Sequence, residues 1–361
     1  MKEKINLRQF MILIFINLLG TAVIFLPSIA TNFAKADSWI TMVITVVIGC
    51  FVICWYTTLF IEGGKQNFFV IIEQGFGRKG GFIFGFLFLS YVFLNAVANL
   101  ITIGDFVSVQ VLMGTPSKVI TFIVLCTAVV GVRYGLEVIA RSAEFFFSFI
   151  VISIILLFLF VSPKIDIQNV FPVFQMNQAS TFVGIIPILT LTYLELIIFL
   201  GIMEQVSNKE KLMRGYLIGG IMGGIVIFVV TFLCICVLGV DATIRQTYPI
   251  YVLGQKISLA DFIQRIEGIV AFIWFFTNFF KICISYIVLA KGLQHFFRFK
   301  SYKIFIVPLA FLIFYAAYEG FKNSYYIPEF INSTYVVISY IIAVIIPLLL
   351  HLSLIIKKLK R

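Results

Sequence analysis

Four polar side chains interrupt an otherwise apolar stretch between Thr181 and Gln205: Thr190, Thr192, Tyr193 and the ionisable Glu195. About 20 apolar residues at 1.5 Å each cover a hydrocarbon core of roughly 30 Å. The four groups therefore fall where a bilayer midplane would lie, and a carboxylate there is costly unless it is paired, hydrated or protonated. A second costly charge, Lys281, sits inside the apolar run FTNFFKICIS, with Asn278 one turn before it. A lone buried charge tends to neutralise, whereas a pair or a wet cavity keeps both groups ionised. Glu195, Lys281 and Asn278 are thus candidates for proton or ligand coupling, for gating a hydrated path, or for a structural ion pair that fixes helix register. Pro187 removes an amide donor just upstream. The stretch is either a kinked span packing its polar groups against neighbours or a discontinuous helix whose unwound middle meets a ligand.

The elements that must hold these groups are membrane helices. A chain of 361 residues that is 61% hydrophobic, with 42 Phe, 12% charged residues and a mean hydropathy of +1.10, is a polytopic membrane protein and leaves no room for a soluble domain. Hydropathy predicts ten transmembrane helices, at roughly 9–30, 38–62, 81–112, 118–132, 142–162, 181–204, 214–240, 263–291, 302–319 and 333–356, in one membrane domain covering 1–361. The N-terminal MKEKINLR and its apolar run look superficially like a signal peptide, but the run is too long for one and serves as the first span. Most of the 27 Lys and Arg fall in segments on the same side as the termini, whereas Lys35, Lys118, Lys164, Arg245, Lys256, Arg265 and Lys322 fall opposite. By the positive-inside rule both termini are expected in the cytoplasm. The net charge of +11 is then juxtamembrane charge facing anionic lipid, and the tail KKLKR is not a nucleic-acid arm.

Two groups of five spans, roughly 9–162 and 181–356, each open on an interrupted helix. An odd number of crossings inverts the second copy, which predicts a five-plus-five inverted repeat with the ligand site between the two breaks. Amides freed near Ala22 suit a carboxylate, and carbonyls freed near Leu18 to Gly20 and Ile188 to Thr190 suit an ammonium. An amino-acid-sized ligand touching Gly20, Thr21, Ala22, Thr190, Thr192 and Tyr193 follows; the competing reading gives Gly20 a role in close helix packing. Tyr91, Asn95 and Asn99 share one face of the third span, with Asp105 beyond them, a stripe that reads as bundle packing. His295 and His351 lie near expected cytoplasmic ends and read as interfacial residues. The six cysteines lie in apolar runs and read as small hydrophobes. With no nucleophile beside a base, no metal-spaced ligand set and no glycine-rich phosphate loop, no enzyme activity, metal or cofactor is expected.

Three stretches, Gly131 to Phe147 (GVRYGLEVIARSAEFFF), Phe171 to Phe174 (FPVF) and Tyr248 to Phe276, resemble the B subunits of bacterial spore nutrient-germinant receptors, and the likeness extends over essentially the whole chain. Those proteins belong to the amino acid, polyamine and organocation transporter superfamily. The resemblance implies a LeuT-like fold with helices 1 and 6 broken at Gly20 to Ala22 and at Thr190 to Tyr193. It also implies a nutrient sensor, often for an amino acid, working beside an A-type membrane subunit and a C-type lipoprotein in the inner membrane of the spore. A proton-coupled secondary amino acid transporter remains the alternative, and a scaffold without a ligand leaves the midplane polar cluster unexplained. The loop from Asp241 to Arg265 reads as an interfacial helix, a cap over the site or a docking element.

Overall fold

The computed structural model describes residues 3–172, 178–256, 267–320 and 333–359. The last residues of the FPVF stretch, much of the 241–265 loop, and Lys2, Arg265, Lys322, Lys360 and Arg361 lie outside those ranges. The described chain is helical, as a backbone without water must be if every amide is to be satisfied within its own segment. By length and composition nine segments are able to cross a membrane, among the described residues. One of the nine, Ala22–Glu62, contains a tight turn at Lys35–Asp37 that separates two helices, and a shorter apolar helix, Leu7–Leu19, precedes it. The expected ten spans require Leu7–Leu19 and the helix after it to act together as one crossing.

That first pair is α1 (Leu7–Leu19) and α2 (Ala22–Ala34). A capping box starts α1: the Asn6 side chain accepts from the Gln9 amide at 2.7 Å and the Gln9 side chain accepts from the Asn6 amide at 3.0 Å. Gly20, with φ −4° and ψ −117°, stops it. The chain continues through α3 (Ser38–Glu62), α4 (Phe68–Phe106), α5 (Ser117–Tyr134), α6 (Leu136–Val161) and α7 (Gln178–Leu189). Inside α4 Gly77 has φ 73°, a left-handed turn that only glycine adopts freely, so a short leading segment meets the long span at an angle.

The expected break in the sixth span is present but is not unwound. After α7 the backbone widens into a π-helical turn at Thr190–Leu194 and then tightens into a 3-10 helix at Glu195–Gly201. Changing helical type twice shifts which carbonyls are bonded and rotates the side chains that follow, as such turns do at functional sites. Beyond it run α8 (Leu212–Leu238), the short α9 (Val240–Arg245) and α10 (Pro249–Gln255), α11 (Glu267–Phe297) and α12 (Ile306–Gly320). The last span is α13 (Thr334–Tyr340), a π turn at Ile341–Ile345 and α14 (Ile346–Leu359).

Two packing features position the first break. One face of α8 is a stripe of glycines against α1; a Cβ on Gly219 would lie 2.6 Å from the Met11 carbonyl oxygen, so only a bare backbone allows this approach. On the other side α11 packs along α1 and α4. Both described ends of the chain lie at the same end of the bundle. There the Lys357 ammonium donates to the Gln74 and Gly75 carbonyls at 2.6 and 2.7 Å. Glu3 meets Lys291 at 2.9 Å, and Ile5 forms an isolated parallel bridge with Val206.

Candidate functional site

The break between α1 and α2 faces the two costly charges. Lys281, wholly buried on α11, forms an ion pair with Glu195 at the start of the 3-10 segment. Its Nζ also donates to Thr21 Oγ1 at 2.8 Å. Thr21 occupies the N-cap position of α2 but makes no capping bond, so its hydroxyl is free for this work and donates to Asn99 Oδ1 at 2.9 Å. From there the bonds continue in one direction. Asn99 Nδ2 donates to Asn95 Oδ1 at 3.1 Å, Asn95 Nδ2 donates to the Tyr335 hydroxyl at 3.0 Å, and that hydroxyl donates to Glu195 Oε1 at 2.6 Å. Beginning at the ammonium and ending at the carboxylate, the chain of donors closes a ring with the direct ion pair.

Five elements contribute: the α1–α2 break, α4, α11, α13 and the segment after α7. In a dry interior aligned bonds polarise one another, and an unpaired member would cost heavily. Ser285 braces the ring by donating to Asn95 Oδ1 at 2.9 Å, and Tyr91 stacks on Tyr335 with centroids 5.8 Å apart. The ring needs Gly20: a Cβ there would lie 2.8 Å from Lys281 Cδ.

Of the expected ligand contacts Gly20 and Thr21, and of the expected coupling or gating groups Glu195 and Lys281, are thus gathered, with Ala22 buried beside them. The others face elsewhere. The Thr190 and Thr192 hydroxyls donate back to their own helix, to the Ile186 and Ile188 carbonyls at 2.8 and 2.6 Å. Tyr193 inserts among Gly49, Gly220 and Gly224 and donates to the Gly220 carbonyl at 3.0 Å. Asn278 donates to the Trp274 carbonyl at 3.1 Å, while its Oδ1 is buried without a partner among the described residues. Both amide atoms of Asn17, one turn before Gly20, are likewise unpartnered there. Orphaned polar atoms one turn from the two key residues leave hydrogen-bonding capacity for water or a ligand. Sequence reasoning read Asn95 and Asn99 as packing and had no signal for Tyr335 or Ser285.

Among the described residues, packed side chains lie on both sides of the ring. On the far side from the termini, α9 and α10 lie over α2, and Tyr251 donates to the Gln110 carbonyl at 3.0 Å. Phe106 packs against Tyr248, Tyr251 and Trp274 at centroid distances of 5.2, 5.3 and 4.5 Å, with Phe25 against Tyr248 at 5.5 Å. Burial, reinforced by Asp105, raises the Tyr248 hydroxyl to about 12. Of the readings of the 241–265 loop, its described part fits a cap over the site.

On the termini side these contacts are polar. Glu3 accepts from Lys291 at 2.9 Å, from the Tyr302 hydroxyl at 2.8 Å and from the Leu136 amide at 3.3 Å. Burial alone would raise its pKa, but the Lys291 charge and these bonds together hold it below the ordinary carboxylate value. Lys291 also donates to Gln205 Oε1 at 2.7 Å, tying α11 to the end of the sixth span.

The family described as "Spore germination protein" matches residues 4–325. Spore germination protein KB of Bacillus subtilis (strain 168) is 24% identical over 303 residues, covering 83% of this chain and 80% of that protein. Spore germination protein A2 of the same organism is 23% identical over 315 residues, covering 86% of each. Among solved structures, a Na+-coupled sialic acid symporter in a substrate-bound outward-open state aligns with a TM-score of 0.66 at 11% identity, over 95% of this chain and 80% of the other. The broken-helix transporter architecture expected from the sequence is therefore the fold.

Proposed function

Since the chain belongs to the spore germination protein family, we propose that it is a membrane-embedded nutrient sensor whose ligand, an amino acid, binds at the α1–α2 break by opening the ring around Lys281 and Glu195. The observation that carries this reading is the closed donor chain from the buried ammonium to the buried carboxylate. A zwitterion offers the same two charges, so its carboxylate is able to replace Glu195 at Lys281 and its ammonium to replace Lys281 at Glu195. Free amides at the start of α2 strengthen the carboxylate end. Exchange of this kind leaves no buried charge unpaired, which is the condition a dry site imposes.

Signalling follows from differential affinity. The ring ties five elements in one arrangement, and a ligand that binds only the opened arrangement shifts the balance toward it. Partner subunits of the A type and C type would read that shift in the inner membrane of the spore, with both termini of this chain in the cytoplasm. Halves 9–162 and 181–356, related as an inverted repeat, would supply the moving bodies.

The second reading is a proton-coupled amino acid transporter, favoured by the symporter fold. In this chain Lys281 already brings a fixed cation to the carbonyl end of α1, so a proton suits the coupling role better than sodium. One experiment separates the two: the purified chain in liposomes is tested with radiolabelled amino acids for saturable binding and for time-dependent accumulation. Saturable binding without accumulation supports the sensor. Concentrative uptake that follows a proton gradient replaces it with the transporter, and absence of both in the assembled complex removes the ligand site.

A further inference from the structure

A cleft of about 710 Å³ opens at the termini end, lined by Glu73, Arg78, Lys79, Phe82, His295, Phe296 and Arg298. It forms where Gly77 turns the leading segment of α4 into the long span, so Arg78 and Lys79 stand at the very start of the crossing. Arg298 reaches the same cleft from the end of α11. All three cations are exposed and form no ion pair among the described residues. The lone carboxylate of the lining, Glu73, faces His295 at 3.5 Å.

One turn deeper the surface becomes aromatic. Phe82 is 46% exposed, Ile83 59% and Phe86 53%; Phe82 and Phe86 stack at 6.3 Å, and Phe82 meets Phe296 edge-on at 5.6 Å. A soluble anion would use the cations and leave the aromatic strip without a role. Likewise, an acidic peptide lying along the polar rim would not descend it. A phospholipid uses both, since its phosphate sits at the level where a span begins and its chains run along the apolar side.

We propose that this cleft is a binding site for an anionic phospholipid, with the phosphate held by Arg78, Lys79 and Arg298 and an acyl chain laid along Phe82, Ile83 and Phe86. Three unpaired cations against one phosphate favour headgroups with no cationic part, phosphatidylglycerol or a diphosphate lipid, over zwitterionic phosphatidylcholine. The cleft shares His295 and Arg298 with the neighbouring polar vestibule that contains Glu3 and Lys291. Lipid bound here therefore touches the end of α11 that carries the termini-side polar contacts.

The full chain, purified and delipidated in detergent, is titrated with phosphatidylglycerol and with phosphatidylcholine and read by native mass spectrometry. The expected result is preferential retention of phosphatidylglycerol, falling about fivefold for each of Arg78→Gln, Lys79→Gln and Arg298→Gln. Lys118→Gln, at the opposite end, should leave it unchanged. Phe82→Trp keeps every cation and gives an independent readout, quenching by brominated phosphatidylglycerol but not by brominated phosphatidylcholine. Equal retention of both lipids, an unaffected triple variant, or displacement of the lipid by millimolar glycerol phosphate or by an acidic peptide overturns the proposal.

Discussion

Helix α11 carries two lysine–carboxylate pairs about 15 Å apart along its axis, and they show what burial does to one chemistry. Lys281 and Glu195 have side chains 0% and 4% exposed and meet inside a ring of donors that leaves the pair nothing to exchange with. Lys291 and Glu3 are 11% and 26% exposed, share their bonds with a tyrosine, a glutamine and a backbone amide, and border an open vestibule. Both pairs tie α11 to a place where regular α-helix is interrupted or absent, the first to the broken helices and the second to the N-terminal segment. The dry pair opens only if something of equal charge replaces its members. The wetter pair opens whenever water or a proton competes.

Breaking one member of the dry pair is expected to have the largest effect. Glu195→Gln or Lys281→Met leaves a buried charge alone and should cost about 3–5 kcal/mol, with loss of the proposed amino acid binding; denaturant unfolding in detergent measures the first and a filter-binding assay the second. The double variant sharpens the comparison, because removing both charges should cost clearly less than either single change while binding stays absent. If the double variant binds normally, the ring is a packing device. Next comes Gly20→Ala, which forces Lys281 to shift and should cost about 1–3 kcal/mol as overpacking does, with binding weakened more than stability.

Smaller effects belong to the wetter pair. Glu3→Gln should cost about 1 kcal/mol, below the usual range for a charged hydrogen bond and at the top of that for an exposed ion pair, because the group is partly solvated. Because the folded-state pKa of Glu3 is lowered, its contribution is complete above the ordinary carboxylate value and disappears as pH falls through the lowered one. The difference in Tm between wild type and Glu3→Gln should therefore be largest at neutral pH and shrink through the acid range; a difference independent of pH would place the effect in packing. The smallest effect is expected at Arg141, 69% exposed in an i,i+4 pair with Glu137: Arg141→Gln should change stability by less than about 0.5 kcal/mol.

The contrast also explains what the sequence made legible. Charges inside apolar runs are costly enough to announce themselves, so Glu195 and Lys281 stood out, and Gly20 marked the first break. Hydropathy located the membrane segments but not the division of the first span into α1 and α2, since each half is shorter than a crossing. Asn95 and Asn99 share one helix face whether they pack or recognise, and spacing does not distinguish those roles. Tyr335 was invisible for a different reason: a tyrosine at the start of a span looks like an ordinary interfacial residue until tertiary packing carries it to Glu195. The direction of the Thr190 and Thr192 hydroxyls was likewise decided locally, by carbonyls one turn back that compete for every such side chain in a membrane helix.

The parallel bridge between Ile5 and Val206 has a consequence for synthesis. The amide of Ile5 donates to the Gln205 carbonyl and the Ser207 amide to the Ile5 carbonyl, each at 3.0 Å, so the Ile5 backbone finds these partners only after the sixth span has left the ribosome. Thr21 waits longer still, for Lys281. The first segment is therefore in place, with Asn99 available to Thr21 but its bond from Lys281 still unmade, while more than half of the protein is synthesised. Completion of the bundle is then ordered along the chain: the first segment's last bonds close only when the eighth span arrives.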